Sequence, residues 1–168
     1  METFEEVEPQ KKRPVFLTVL GILTFINSGF GLLGALMSYL AGPASSDEIE
    51  DYLALNMKNI EQIRGEGMDG FADTMEKMIN SIQYSNDAHF LSTTLNLAIS
   101  ALAIAGVIMM FRGQKAGFHL YIIGCLLRIS SFYFYTPAAE VSGMMVGYFT
   151  FTSLLFIFMY SRNLKWLK

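Results

Sequence analysis

Residues 117–137 read GFHLYIIGCLLRISSFYFYTP, and this stretch decides the fold. It is long enough to cross a bilayer as a helix, which needs about 20 residues at 1.5 Å of rise each. Arg128 stands near its middle, with no Asp, Glu, Lys or Arg among the twelve residues before it or the eleven after it. An arginine at that depth costs about 2.5–3.5 kcal/mol on insertion scales. Such a side chain faces a protein interior or water, and it marks a candidate site.

Working outward, three further runs have the same character. No Asp, Glu, Lys or Arg occurs from Pro14 to Ser46, from Ala88 to Phe111, or from Val141 to Ser161. The chain has 168 residues, 52% hydrophobic and 16% charged, and its charges are bunched between these runs. The sequence therefore predicts an all-α multi-pass membrane protein with four spans at 14–41, 89–111, 117–137 and 142–160. The runs lack the period-two alternation of a transmembrane barrel. The start Met-Glu-Thr-Phe-Glu-Glu lacks the basic, short-apolar pattern of a cleaved signal peptide, so the first span is expected to remain.

Charge distribution predicts orientation. Lys11, Lys12 and Arg13, then Arg112 and Lys115, then Arg162, Lys165 and Lys168 flank the spans at what would be one membrane surface. By the positive-inside rule the segment 1–13, the turn 112–116 and the tail 161–168 are cytoplasmic. Segment 42–88 holds ten acidic residues against three basic ones and, with the turn 138–141, belongs outside. Trp166 reads as an inner-interface anchor and Phe132 to Tyr135 as part of an outer aromatic belt.

Within 42–88, Ser45 and Glu48 have the spacing of a helix-capping box. Ile49, Leu53, Met57, Ile60 and Ile63 then recur at helical intervals until Gly65 and Gly67. Beyond Asp69, the residues Phe71, Met75, Met78, Ile79 and Ile82 repeat the pattern. Two short amphipathic helices follow, each too small to stand alone. Their apolar faces must cover each other, the bundle, the bilayer or a partner.

Polar and small residues inside the spans define candidate faces. Tyr121, Gly124, Arg128, Ser131 and Tyr135 share one face of the third span. Ser92, Asn96, Ser100 and Ala103 form a stripe on the second, and Thr24, Asn27, Gly31, Gly34 and Ser38 one on the first. Gly143 and Gly147 give the fourth a small-xxx-small pair, a common close-packing device. Gly31, Gly34, Ser38, Gly143 and Gly147 are thus expected to pack helices. Arg128, Asn96, Asn27, Ser131, Tyr121 and Tyr135 are the candidate ligand or partner contacts. No acidic residue lies inside a span, so Arg128 is expected to share its donors with Asn96, Asn27, serines, carbonyls or water. The first span is longer than the membrane core requires, so it is expected to tilt or to extend beyond the membrane, with a loosened helix at Asn27-Ser28-Gly29-Phe30-Gly31 as the alternative.

Catalytic and metal constellations are absent from the pattern. By the expected topology His89 and His119 fall at opposite surfaces, Cys125 is the single cysteine, and no protease motif or phosphate-binding glycine loop occurs. No cofactor is expected, no catalysis, and, with a net charge of −3, no nucleic acid. The segment from Arg13 to Phe25, RPVFLTVLGILTF, with its Asn-Ser-Gly continuation, resembles the first span of small uncharacterised four-span bacterial inner-membrane proteins. That resemblance implies a bacterial inner-membrane location. A long first outer loop also resembles claudins in outline, but 42–87 holds no cysteine pair or tryptophan. The expected role is a non-catalytic accessory or assembly subunit bound to the lipid bilayer and to other membrane subunits or its own copies. The alternative is a small transporter or a lipid- or anion-binding protein with Arg128 in an intramembrane cavity.

Overall fold

The computed structural model describes residues 12–168. Residues 1–11, with Lys11 of the expected basic cluster, lie outside the described part. Six helices make up the fold: α1 (Val15–Ala41), α2 (Ser46–Gly65), α3 (Asp69–Asp87), α4 (His89–Phe111), α5 (Lys115–Tyr135) and α6 (Gly143–Ser161). α1, α4, α5 and α6 are long and apolar enough to cross a membrane. The protein is a multi-pass helical bundle, with strands absent among the described residues. α1 runs unbroken through Asn27 to Gly31, so the alternative of a loosened helix there does not hold.

α4 lies between α1 and α5 and packs closely on both, whereas α6 leans on α5 and meets α1 at few points. The tightest crossing joins α4 to α5 through Gly106 and Gly117. A Cβ on Gly117 would sit 2.4 Å from Gly106 O and 2.7 Å from Met110 N, and one on Gly106 would sit 2.8 Å from Gly117 O. Side chains are excluded there, and van der Waals contact between backbones replaces the hydrophobic effect as the adhesive in lipid. Gly21 makes a similar space for the Phe111 ring, which meets Phe25 edge-on at 5.8 Å and carries Arg13 over its face at 4.2 Å.

At the end of the bundle carrying the described N- and C-terminal residues, Leu17, Leu20, Met110, Phe118, Tyr160 and Leu167 form a continuous buried core. The C-terminal residues fold back under it. Gly113, at φ 82° in the left-handed region that suits glycine, turns α4 into α5. Lys115 N donates to Lys168 O at 3.0 Å, and Trp166 packs against the core and beside Gly113.

The opposite end carries α2 and α3, which form a helical hairpin. Ser45 Oγ accepts from Glu48 N at 3.3 Å while Ser45 N donates to Glu48 Oε2 at 2.9 Å, so the capping box is complete. The bonds that Ser45 N and Ser45 Oγ donate to the ionised carboxylate hold Glu48 below the usual carboxylate range. Gly67, also at φ 82°, reverses the chain. Ile60, Ala72 and Ile79 are buried between the two helices, with Leu53, Met57, Ile63 and Met75 packed round them. Arg64 bonds Asp73 at 2.7 Å and Glu76 at 2.9 Å, and the two carboxylates raise its affinity for its proton. The hairpin therefore covers its own apolar face first. It is tied to the bundle by polar bonds: Lys77 Nζ to Ala139 O at 2.6 Å, and the Asn86 amide to both Ala44 N and Ala44 O.

Candidate functional site

Arg128 lies thirteen residues above the start of α5, about 20 Å along its axis at 1.5 Å per residue. Asn27 lies twelve above the start of α1, about 18 Å, and so at nearly the same depth. Both line a cavity of about 330 Å³ between α1, α4, α5 and α6. That volume falls in the range of about 300–1,000 Å³ usual for small-molecule sites. The cavity exists because α6 stands away from α1 above their contact at the terminal end.

Its lining separates by chemistry. Thr24, Asn27, Ser28, Arg128, Thr152 and Ser153 contribute the polar side chains, while Leu23, Ile99, Ala103 and Phe156 contribute apolar wall. Below, Thr24 Oγ1 and Tyr160 Oη share a hydrogen bond at 2.8 Å, and the Tyr121 and Tyr160 rings meet edge-on at 4.9 Å. The buried core beneath them closes that end. Above, the Phe149 ring packs on Phe132 at 5.5 Å, and the Arg128 guanidinium sits 5.9 Å from the Phe149 centroid, within cation–π range.

Arg128 is half-buried. Among the described residues its guanidinium has no hydrogen-bond or ion-pair partner, and it lies over the Phe149 ring. Ser131 Oγ donates to the Arg128 carbonyl at 2.7 Å, a bond within α5 that leaves the side chain unserved. Five guanidinium donors at bilayer depth thus face a cavity.

The expected partnership with Asn96 is corrected by the structure. Asn96 Nδ2 donates to Ser92 O of its own helix at 3.0 Å, and the residue lines a second, higher cavity of about 590 Å³ beneath the α2–α3 hairpin. Asn96 therefore does not line the cavity that holds Arg128. Gly31, Gly34, Ser38 and Tyr135 also line that upper cavity, where Gly31 faces Ser100 and Ser38 meets His89 of α4. A Cβ on Gly34, Gly143 or Gly147 would meet nothing within 4 Å, and one on Gly31 only Ser100 Oγ at 3.1 Å. The packing role assigned to Gly143 and Gly147 therefore belongs to Gly106, Gly117 and Gly21. On α1 the buried face is Leu17, Leu20, Gly21, Thr24, Ser28 and Ala35, which leaves Asn27 exposed at the cavity edge.

Of the remaining candidates, Tyr121 is buried at the cavity floor and Ser131 is buried within α5. The expected aromatic belt divides in two. Tyr133 and Phe134 point outward, while Phe132 and Tyr135 line the upper cavity. Thr152, Ser153 and Phe149 on α6 were not singled out from the sequence. A polar Thr152-Ser153 pair inside an otherwise apolar run was the signal available. His89 Nε2 lies 3.0 Å from Ser38 O and ties α4 to α1. Among the described residues, no three His, Cys, Asp or Glu side chains converge as a metal site. Comparison with protein-family models, curated proteins and solved structures gives no match.

Proposed function

We propose that this chain is a non-catalytic membrane protein that binds an oxyanion in its intramembrane cavity through Arg128. The observation that carries the reading is the guanidinium itself, lining a cavity with no counter-charge or hydrogen-bond partner among the described residues. A half-buried cation lining an intramembrane cavity is stabilised by an anion whose oxygens accept its paired N–H groups. Arginine suits that task better than lysine, because its planar fork matches carboxylate and phosphate geometry. Asn27, Thr152 and Ser153 supply neutral polar groups on the facing walls.

The membrane in question is the bacterial inner membrane, with both termini cytoplasmic. The basic residues Arg112, Lys115, Arg162, Lys165 and Lys168 support that orientation, since all of them sit at the terminal end of the bundle. The test of the binding reading is native mass spectrometry of protein purified in mild detergent. Wild type retains an anionic adduct, Arg128→Lys retains less, and Arg128→Gln retains none. Equal adducts in all three would remove Arg128 from the role.

A second reading, the accessory subunit, is favoured by the outer hairpin. Tyr52 and Leu55 on α2, with Phe71 on α3, stay exposed after the hairpin has covered its own core. Under this reading the anion is a carboxylate of another membrane subunit, and stoichiometric partners co-purify.

A further inference from the structure

The oxyanion reading leaves open how a ligand reaches Arg128, and the walls of the cavity narrow the answer. Toward the terminal end the way is shut by the Thr24–Tyr160 hydrogen bond and by Leu17, Leu20, Met110 and Phe118, all at most 7% exposed. Toward the hairpin end the Phe132–Phe149 ring pair stands between this cavity and the upper one. α4 packs closely against both α1 and α5, so those two seams are closed. α5 and α6 are bridged by the Tyr121–Tyr160, Phe132–Phe149 and Arg128–Phe149 contacts, so the loosest seam is between α1 and α6, which touch at few points.

Residues at that seam belong to the cavity and to the outer surface at once. Leu23 on α1 is 49% exposed and Tyr148 on α6 is 64% exposed, yet both line the cavity, as does the exposed Asn27. The outer surfaces on either side of the seam are apolar, with Ile22, Ile26 and Phe30 on α1 and Phe151 and Leu155 on α6. Surfaces of that kind lie in hydrocarbon, so the mouth opens sideways into the bilayer rather than into water.

We infer that the ligand of Arg128 is an anionic membrane amphiphile that enters through the α1–α6 seam. Its phosphate or carboxylate oxygens would meet the guanidinium, and its apolar part would lie against Leu23, Ile99, Ala103 and Phe156. This inference rests on the oxyanion reading of Arg128 and adds the route and the ligand class. A free phosphate ion shares the headgroup chemistry but would have to cross either the aromatic pair or the terminal core.

The two sources are separated by a binding experiment with phosphatidylglycerol, phosphatidylcholine and inorganic phosphate as probes. Purified full-length protein is titrated with each lipid in detergent and read by native mass spectrometry, and inorganic phosphate is added as competitor. Two mouth variants, Asn27→Trp and Leu23→Trp, fill the seam from exposed positions where a misfolded product is not expected. Phe151→Trp, on the outer face of α6 and outside the cavity lining, is the control. Helical content and thermal unfolding are recorded for every variant.

The inference expects phosphatidylglycerol to bind in preference to phosphatidylcholine, with little competition from phosphate. Arg128→Gln should weaken phosphatidylglycerol by about tenfold or more, as loss of charge-assisted hydrogen bonds implies. Both mouth variants should weaken or slow its binding while Phe151→Trp leaves it unchanged. If phosphate competes effectively and the folded mouth variants bind phosphatidylglycerol normally, the lateral route is wrong and the Arg128 reading stands. If Arg128→Gln changes neither probe, the inference and the reading beneath it both fail.

Discussion

Replacing Gly117 by alanine tests the geometry that holds the bundle together. The added Cβ would lie 2.4 Å from Gly106 O, 2.7 Å from Met109 Cβ and 2.7 Å from Met110 N. Ordinary contact begins near 3.4 Å, so one helix must retreat by about 1 Å along the crossing. Two of the three clashing atoms are backbone, and no rotamer change removes them. Overpacking of this kind costs about 1–3 kcal/mol. Alanine's better helix propensity returns at most about 1 kcal/mol, and less so near a helix start. A net loss of about 1–2 kcal/mol lowers the folded-to-unfolded ratio by roughly 5–30-fold. The matched control is Gly147→Ala, where a Cβ meets nothing within 4 Å and the propensity gain stands alone. Equilibrium unfolding in mixed detergent, followed by circular dichroism, should therefore move in opposite directions for the two variants. Gly117→Ala as stable as wild type, or Gly147→Ala more damaging than Gly117→Ala, would refute the assignment of the close crossing.

Other perturbations follow the same structure. Tyr160→Phe removes the hydrogen bond to Thr24 at the cavity floor and should cost about 0.6 kcal/mol, the usual value for an interhelical bond in lipid and at most about 1.7 kcal/mol, by the same unfolding assay. Ile60→Ala empties the centre of the α2–α3 core and should cost that hairpin about 2–5 kcal/mol. Limited proteolysis would then cut within 46–87 while the four spans keep their helical signal. The capping box responds to acid with a fixed sign: Glu48 has a lowered folded pKa, so its contribution is present above its unfolded value of 4.5 and is lost as pH falls through the lower folded value. NMR shifts of the Ser45 and Glu48 amides should report that loss together, and Ser45→Ala should abolish the coupled response. The Arg64 clamp on Asp73 and Glu76 is exposed, so raising the ionic strength should erase the difference between wild type and Arg64→Met in hairpin opening.

The spans and the α2 and α3 helices were legible because hydrophobic length and turn chemistry are local properties. α4 matches its expected bounds, the other spans differ by a residue or two at their ends, and the Ser45–Glu48 box starts α2 where its spacing predicts. Which side of each span faces inward was harder to read. In water, burial and polarity segregate around a helix; in lipid, both the outside and the core are apolar, and small residues serve either side. That is why Asn27, Gly34, Gly143 and Gly147 read as interface yet lie exposed, while Gly106 and Gly117, which form the real crossing, stood out less. On α5 the polar face is easier to see, because Tyr121 and Arg128 are large and costly in lipid: Tyr121, Gly124 and Ser131 are buried and Arg128 lines the cavity. The Arg64 bridges and the cavity itself depend on how α3 meets α2 and how α6 departs from α1. Neither relation is encoded in one helix alone.

The most direct test of an oxyanion at Arg128 is nitrogen-to-phosphorus dipolar recoupling by solid-state NMR. Protein carrying isotope-labelled arginine is reconstituted in phosphatidylglycerol-containing bilayers, and wild type is compared with Arg128→Gln. The difference isolates Arg128 from Arg64 in the α2–α3 hairpin and from Arg13, Arg112 and Arg162, which lie at the membrane surface under the proposed topology. The proposed site predicts a guanidinium signal dephased by lipid phosphorus in wild type and absent from the variant. Identical dephasing in the two proteins would contradict it.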